Sequence, residues 1–208
     1  MKVLIADDHC VMRKGVSSIV SEIPSVTVVD EAVDGRQALS MIKSNGYDLI
    51  ILDISMPQMS GLDVLQNMKD SGIKCRSLIV SLHPESVYAS RAFKLGSVGY
   101  ISKSASFDEI KTAVHKVISG GRYVSAELAE QLAFAESKNL FPHEKLSERE
   151  FQVMVHLAKG KGLLEIAKLV SISAKTVSTY RTRILKKMGM KSNADITIYA
   201  MQNNLIIH

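Results

Sequence analysis

The sequence has no tryptophan, two cysteines, four prolines and 5% aromatic residues. Cys10 and Cys75 match no metal-ligand spacing, and two such distant thiols exclude a disulfide-stapled scaffold; they read as ordinary thiols in a reducing compartment. No apolar run reaches the roughly 20 residues of a membrane-spanning helix. The N-terminal run is stopped at once by Asp7-Asp8, too early for a signal peptide. A cytoplasmic protein is expected. Low-complexity tracts and internal repeats are missing too. At 46% hydrophobic and 23% charged residues the chain is not disordered by composition, and its 208 residues suit one or two domains.

Surplus charge is missing from most of the chain. Residues 1–121 carry 13 basic and 13 acidic side chains, and residues 122–143 carry 2 and 3. Residues 144–208 carry 11 and 5, so the net charge of +5 comes from the last third. A basic module behind a neutral one suits a polyanion partner for the C-terminus.

Short apolar runs alternate with amphipathic stretches through the first 120 residues. The expected strands are Val3–Ala6, Val26–Val29, Leu49–Leu52, Leu78–Val80 and Val98–Ile101, nearly continuous in apolar residues as in a parallel sheet covered on both faces. Helix starts are marked at Asp34-Gly35-Arg36-Gln37 and Ser106-Phe107-Asp108-Glu109, where each first side chain and the one three positions on can form a capping box. The fold expected is an α/β doubly wound, five-stranded parallel sheet, with ligands at the carboxyl ends of its strands. After Gly120-Gly121 the strands stop. Residues 122–143 read as a linker, with a helical stretch Ala126–Glu136 followed by Ser137-Lys138-Asn139 and Phe141-Pro142. Residues 144–208 read as four short helices. Ser147–Glu150 caps the first, Leu163–Val170 is the second, Ser171–Ser173 a turn, Ala174–Lys187 the third, and Ser192 opens the fourth after Gly189.

Asp7 and Asp8 follow the first expected strand, Asp53 the third and Ser81 the fourth, and Lys103 stands two residues past the fifth. A parallel sheet brings these points to one edge. Three carboxylates there repel unless a hard cation sits among them, and oxygen donors suit Mg²⁺. A central carboxylate can attack a phosphoryl group, while a cation and a lysine neutralise the transferred oxygens and a hydroxyl hydrogen-bonds one of them. The bland alternatives are Asp8 as a helix N-cap and Lys103 as a solvated loop residue.

Ile5-Ala6-Asp7-Asp8-His9, the run Leu52-Asp53-Ile54-Ser55-Met56-Pro57-Gln58-Met59-Ser60-Gly61, and Gly99-Tyr100-Ile101-Ser102-Lys103 resemble the receiver domains of two-component response regulators over residues 1–121. The resemblance implies that Asp53 is the phosphoacceptor. It implies that Asp8, Asp53, the Ser55 backbone carbonyl and, through water, Asp7 hold Mg²⁺. It implies that Ser81 and Lys103 read the phosphoryl group, and that Tyr100 is the aromatic switch; the alternative for Tyr100 is a half-exposed strand residue. Met56-Pro57 and Gly61 would shape the acceptor loop. Leu82 departs from the small residue common at its position, near the path of phosphodonor or water.

In the last third, Ile166, Ala167, Val170, Ile172 and Val177 have the spacing to pack two short helices together, leaving Lys175, Ser178, Thr179, Thr182, Arg183 and Lys186 on a polar face. Such a helix can read base edges with its first turns and grip phosphates with its lysines. Leu146-Ser147-Glu148-Arg149-Glu150, Glu165-Ile166-Ala167, Lys175-Thr176-Val177-Ser178-Thr179-Tyr180 and Ile184-Leu185-Lys186-Lys187-Met188-Gly189 resemble the LuxR-type helix-turn-helix, and the whole chain resembles the NarL/FixJ class of response regulators. The resemblance implies a third helix in the major groove of double-stranded DNA, with Lys175, Thr176, Ser178, Thr179, Thr182 and Arg183 at the interface, and a fourth helix for dimer contacts. Gly162-Leu163-Leu164 replaces a polar run and removes a hydroxyl cap. A sensor histidine kinase, a second copy of the chain and RNA polymerase are the partners implied. The rival reading is a phosphotransfer or phosphatase enzyme with a covalent intermediate on Asp53. It needs a water-directing group, for which His9 and His83 are the only candidates, so the chain is read as no enzyme.

Overall fold

The computed structural model describes residues 1–135, 141–170, 172–203 and 205–206. The chain divides into two compact units, Met1–Ala135 and Glu136–His208.

The first unit alternates strand and helix: β1 (Lys2–Ala6), α1 (Cys10–Ser21), β2 (Val28–Ala32), α2 (Gly35–Ser44), β3 (Leu49–Leu52), α3 (Gly61–Asp70), β4 (Arg76–Ser81), α4 (Glu85–Lys94), β5 (Gly99–Ser102), α5 (Phe107–Ile118) and α6 (Ala126–Ala135). The sheet order is β2-β1-β3-β4-β5, all parallel. Side chains alternate across each strand, so Val3, Ile5, Leu49, Ile51, Leu78, Val80 and Ile101 face one way, onto Val16, Ile19 and Val20 of α1 and Ile110, Ala113, Val114 and Val117 of α5. Leu4, Ile50, Leu52 and Ile79 point to the opposite face and are equally inaccessible. Each such side chain contributes about 1.5–3 kcal/mol relative to exposure. Two covered faces explain why these strands read as continuous apolar runs.

The expected strand Val26–Val29 is displaced. Val26 and Thr27 are spent on turn hydrogen bonds to Ile23 and Met1, and pairing with β1 runs from Val28 to Ala32. β2 is an edge strand, so it tolerates Asp30 and Glu31, which hid its true extent. β4 and β5 each extend to a terminal serine. The capping box at Asp34 is also re-routed: the Asp34 carboxylate accepts from the Gln37 amide, but the Gln37 side chain accepts from Val33 and not from Asp34. Ser60 and Asp63 form a complete box that opens α3. The helical part of the expected linker, now Ala126–Ala135, sits with the first unit; Glu136 and Ser137–Asn139 lie outside the described residues. Tyr123 bridges β5 at Gly99, Ser125 bonds Glu85 of α4, and Leu128 is buried. Cys75 is half-buried, and burial pushes its thiol up to about 12.

The second unit holds a 3₁₀ turn (Pro142–Lys145), α7 (Glu148–Ala158), α8 (Leu163–Leu169), α9 (Ala174–Met188) and α10 (Asn193–Gln202). Ser147–Glu150 and Ser192–Asp195 form full capping boxes. Gly189 ends α9 in the left-handed conformation at φ 68°, where a side chain would be strained. Phe151, Met154, Ile166, Val177, Ile184, Ile196 and Ala200 are fully buried and form the core. Ser171 lies outside the described residues, and Ile172 closes the α8 terminus by donating to the Ala167 carbonyl at 3.0 Å.

Candidate functional site

Register sets the acidic pocket. Ala6 pairs with Leu52, Leu52 with Ile79, and Ser81 with Ser102, so Asp7, Asp53, Ser81 and Lys103 leave adjacent strands at nearly one level. Lys103 Nζ lies 2.7 Å from Asp7 Oδ2 and 2.8 Å from Asp53 Oδ2, with side chains 4%, 6% and 2% exposed respectively. Lys103 is therefore no solvated loop residue; its own amide is held by the Ser81 carbonyl at 2.9 Å. The second carboxylate oxygen of Asp53, Oδ1, is buried and has no hydrogen-bond partner. A buried, unpaired carboxylate oxygen costs about 1–3 kcal/mol or more, and invites a cation or an electrophile.

Asp8 and His9 form the open side of the pocket. Asp8 is no helix cap, because α1 has His9 at that position. One ligand atom each from Asp7, Asp8, His9 and Asp53 falls within 4.8 Å of the others. Asp7 Oδ1 accepts the His9 amide at 2.8 Å, so both Asp7 oxygens are engaged. The carboxylate oxygens of this set suit a hard divalent cation such as Mg²⁺.

The loop that follows Asp53 is built around glycine. A β-carbon at Gly61 would come 2.1 Å from the Asp53 carbonyl oxygen. Gln58 takes the left-handed conformation at φ 64°, an uncommon one for a residue with a side chain. On the same loop Ser55 is exposed, its hydroxyl 2.6 Å from His83 Nε2. Ser81 and Tyr100 are both fully buried. The Tyr100 hydroxyl donates to the His83 carbonyl at 3.0 Å, and the His83 amide donates to Ser81 Oγ at 3.3 Å. Burial raises the Tyr100 hydroxyl well above its ordinary value, against a smaller opposing effect from its hydrogen bond with Ser81, so it stays a donor. Tyr100 is thus an inward residue and not a half-exposed one. Leu82 is 66% exposed beside this cluster.

Two residues have roles that sequence reasoning missed, Arg13 altogether and His83 beyond its reading as a water-directing candidate. Arg13 of α1 is buried, donating to the Asp7 carbonyl at 2.6 Å and to Glu31 at 3.0 Å, which fixes the backbone of the acid pair. Its signal was a cation in the apolar stripe of Val16, Ile19 and Val20. His83 contacts Ser55, Ser81 and Tyr100 and stacks on Tyr88 with ring centroids 4.4 Å apart; nothing in its sequence spacing marked this.

In the second unit, α8 and α9 pack through Ile166, Ala167 and Val177, all buried. Ser173 caps α9 by accepting from the Thr176 amide. Lys175, Ser178, Thr179, Thr182, Arg183 and Lys186 are exposed along one side of α9. Thr176 is half-buried, its hydroxyl 2.8 Å from that of Ser173, which assigns it to the cap. The Thr179 and Thr182 hydroxyls turn back to the carbonyls of Lys175 and Ser178. Arg181 donates to Asn193 of α10 and so faces away. α8 begins at Gly162 with no side-chain cap.

Residues 3–115 match the family of response regulator receiver domains, and residues 144–200 match the luxR family of bacterial regulatory proteins. The chain is 32% identical over 208 residues to the response regulator UvrY of Escherichia coli K12, covering 99% of this chain and 95% of that protein. It is 30% identical over 209 residues to the response regulator GacA of Pseudomonas aeruginosa, covering 99% and 98%. In fold it is similar to RcsB from Salmonella enterica serovar Typhimurium bound to promoter rprA in the presence of the phosphomimetic BeF₃⁻ (TM-score 0.69, 23% identity, 96% of this chain and 97% of that one). The chain belongs to the two-component response regulators of the NarL/FixJ class, transcription regulators that join a receiver domain to a LuxR-type DNA-binding domain.

Proposed function

We propose that Asp53 is the phosphoacceptor of this response regulator and that its phosphorylation controls pairing and DNA binding. The observation that carries the reading is the state of the Asp53 carboxylate: one oxygen pinned by Lys103, the other buried and unpaired. A histidine kinase supplies the phosphoryl group. The bond from Asp53 Oδ1 to phosphorus forms as the kinase's phosphorus–nitrogen bond breaks, and the imidazole leaves with the electron pair and takes a proton. Asp8, Asp53 and the Ser55 carbonyl, with Asp7 through water, would hold Mg²⁺, which neutralises charge on the transferred oxygens. Lys103 holds one phosphoryl oxygen electrostatically, and the Ser81 hydroxyl turns to bond another. That turn alters the Ser81–His83–Tyr100 contacts and shifts a two-state equilibrium of the β4–α4–β5 region.

On the DNA side, α9 enters the major groove, with Lys175, Ser178, Thr179, Thr182 and Arg183 toward the bases and phosphates and Thr176 holding the helix start. Two copies bind paired half-sites. RNA polymerase is then the neighbouring partner at a promoter. The two hydroxyls bonded to their own helix can rotate outward at little cost, since each exchanges one hydrogen bond for another.

The test is intact mass after incubation with acetyl phosphate and Mg²⁺. One labile phosphoryl adduct is expected, absent in Asp53→Ala. An adduct that persists in Asp53→Ala, or none in the folded native chain, overturns the assignment.

A further inference from the structure

His9 stands in the acid pocket without a role in phosphoryl chemistry. It is the residue before α1, its side chain is 58% exposed, and it makes no helix cap. Its Nδ1 lies 2.8 Å from Asp8 Oδ1 and 3.4 Å from Asp7 Oδ1. It belongs to the group whose ligand atoms, with those of Asp7, Asp8 and Asp53, lie within 4.8 Å of one another. Opposite ligands around one six-coordinate ion with bonds of about 2.1 Å stand roughly 4.2 Å apart, so a small closing movement brings the set around a single cation. The buried Asp53 Oδ1, lacking any partner, is a second and independent sign that the pocket is built for a ligand.

We propose that His9 Nδ1 is a direct cation ligand beside Asp8 and Asp53, so that the pocket prefers cations that accept nitrogen, such as Mn²⁺ and Co²⁺, over Mg²⁺. The inference rests on the reading of the pocket as a divalent-cation site. Mg²⁺ is hard and favours an all-oxygen shell, whereas an imidazole donor favours the first-row transition ions in the order in which their affinity for mixed oxygen and nitrogen sites rises. The ion replaces the hydrogen bond between His9 and Asp8, and the ring binds through the Nδ1 lone pair with its own proton carried on Nε2. Both side chains lie on the solvent side, so a hydrated ion can exchange water for them stepwise. Lys103, Asp7 and the sheet beneath keep their positions, so the identity of the cation changes the charge density beside Asp53 without altering the fold.

The experiment uses the full chain and its His9→Gln, His115→Gln and Asp53→Asn variants. Calorimetric titrations with Mg²⁺ and Co²⁺ give affinities, and the electron spin-echo modulation of bound Mn²⁺ reports a directly coordinated imidazole nitrogen. His115 is exposed on α5 and serves as the control. Nitrogen modulation is expected in the native chain and in His115→Gln, and lost in His9→Gln. Co²⁺ affinity in His9→Gln is expected to fall by about tenfold or more, with Mg²⁺ affinity changed by less than about twofold. Absence of nitrogen modulation in the native chain, or its persistence in His9→Gln, overturns the role of His9; Mg²⁺ binding that depends on Asp53 then leaves the phosphoacceptor reading standing. If the native chain and Asp53→Asn bind Mg²⁺ alike, the cation site itself falls, and this proposal with it.

Discussion

Lys103 is the residue on which the pocket depends most. Its ammonium lies within bonding distance of both buried carboxylates, Asp7 and Asp53. Removing one partner of a buried charge cluster leaves uncompensated charge, typically costing about 3–5 kcal/mol, far more than an exposed ion pair contributes. Lys103→Met is therefore expected to destabilise the first unit by about 3 kcal/mol in urea unfolding, and millimolar Mg²⁺ is expected to restore part of the loss. Unchanged stability would show that the two carboxylates are not held together by this side chain. Arg13 works differently: it holds the Asp7 backbone through a carbonyl, so it fixes geometry without neutralising the pocket. This difference explains what the sequence made legible. Asp7, Asp8, Asp53, Ser81 and Lys103 stand at strand ends, where position alone announces a shared edge. Arg13 acts through the backbone carbonyl of Asp7 and His83 largely through its own backbone amide and carbonyl, and no spacing rule in a linear chain encodes such contacts.

Among the elements, those governed by local chemistry were the most legible. α5, α7 and α10 begin where serine and an acid three positions on satisfy each other's amides, and the structure forms each box. β3, buried on both faces in the middle of the sheet, runs over the four residues its apolar pattern predicts. β2 starts two residues and ends three residues beyond the expected strand because an edge strand carries polar side chains, and its extent is set by pairing with β1 rather than by its own hydrophobicity. The link between α7 and α9 is tertiary and was not legible: the Glu150 carboxylate accepts from Lys187 at 2.6 Å and from the Ser147 amide at 2.8 Å. Burial raises the Glu150 carboxyl, but the Lys187 ammonium and Ser147 outweigh it and hold the group below its ordinary value of 4.5. A depressed folded value means that the stabilisation is complete above the ordinary value and lost as pH falls through the folded one. Glu150→Gln is thus expected to cost about 1–2 kcal/mol near neutral pH, read from amide exchange in α7 and α9. The gap to the native chain should close as pH falls below the ordinary carboxyl value of 4.5 and through the lower folded one. A gap that stays constant down to acid pH would assign the loss to packing and not to charge.

At the scale of the whole molecule, charge and signal are divided between the units. The acidic pocket sits in a segment with balanced charge, while residues 144–208 carry 11 basic against 5 acidic side chains. Affinity for DNA should then be set by the second unit and screened by salt, with a slope of log affinity against log salt near −0.9 per phosphate neutralised. If Lys175, Arg183 and Lys186 of each copy engage phosphates, a bound pair neutralises about six, and the slope is about −5. The proposed phosphorylation at Asp53 would add charge to the neutral unit and none to the DNA surface. Acting through pairing, it is expected to raise affinity at every salt concentration while leaving the slope per bound dimer unchanged. Lys175→Ala should instead lower the slope by about two per dimer, one for each copy. Fluorescence anisotropy of a labelled duplex, titrated from low to moderate salt with and without acetyl phosphate, separates the two. A slope that steepens on phosphorylation would mean that the modification uncovers basic side chains and not only that it brings two copies together, and control would then have to be sought between the units rather than between protomers.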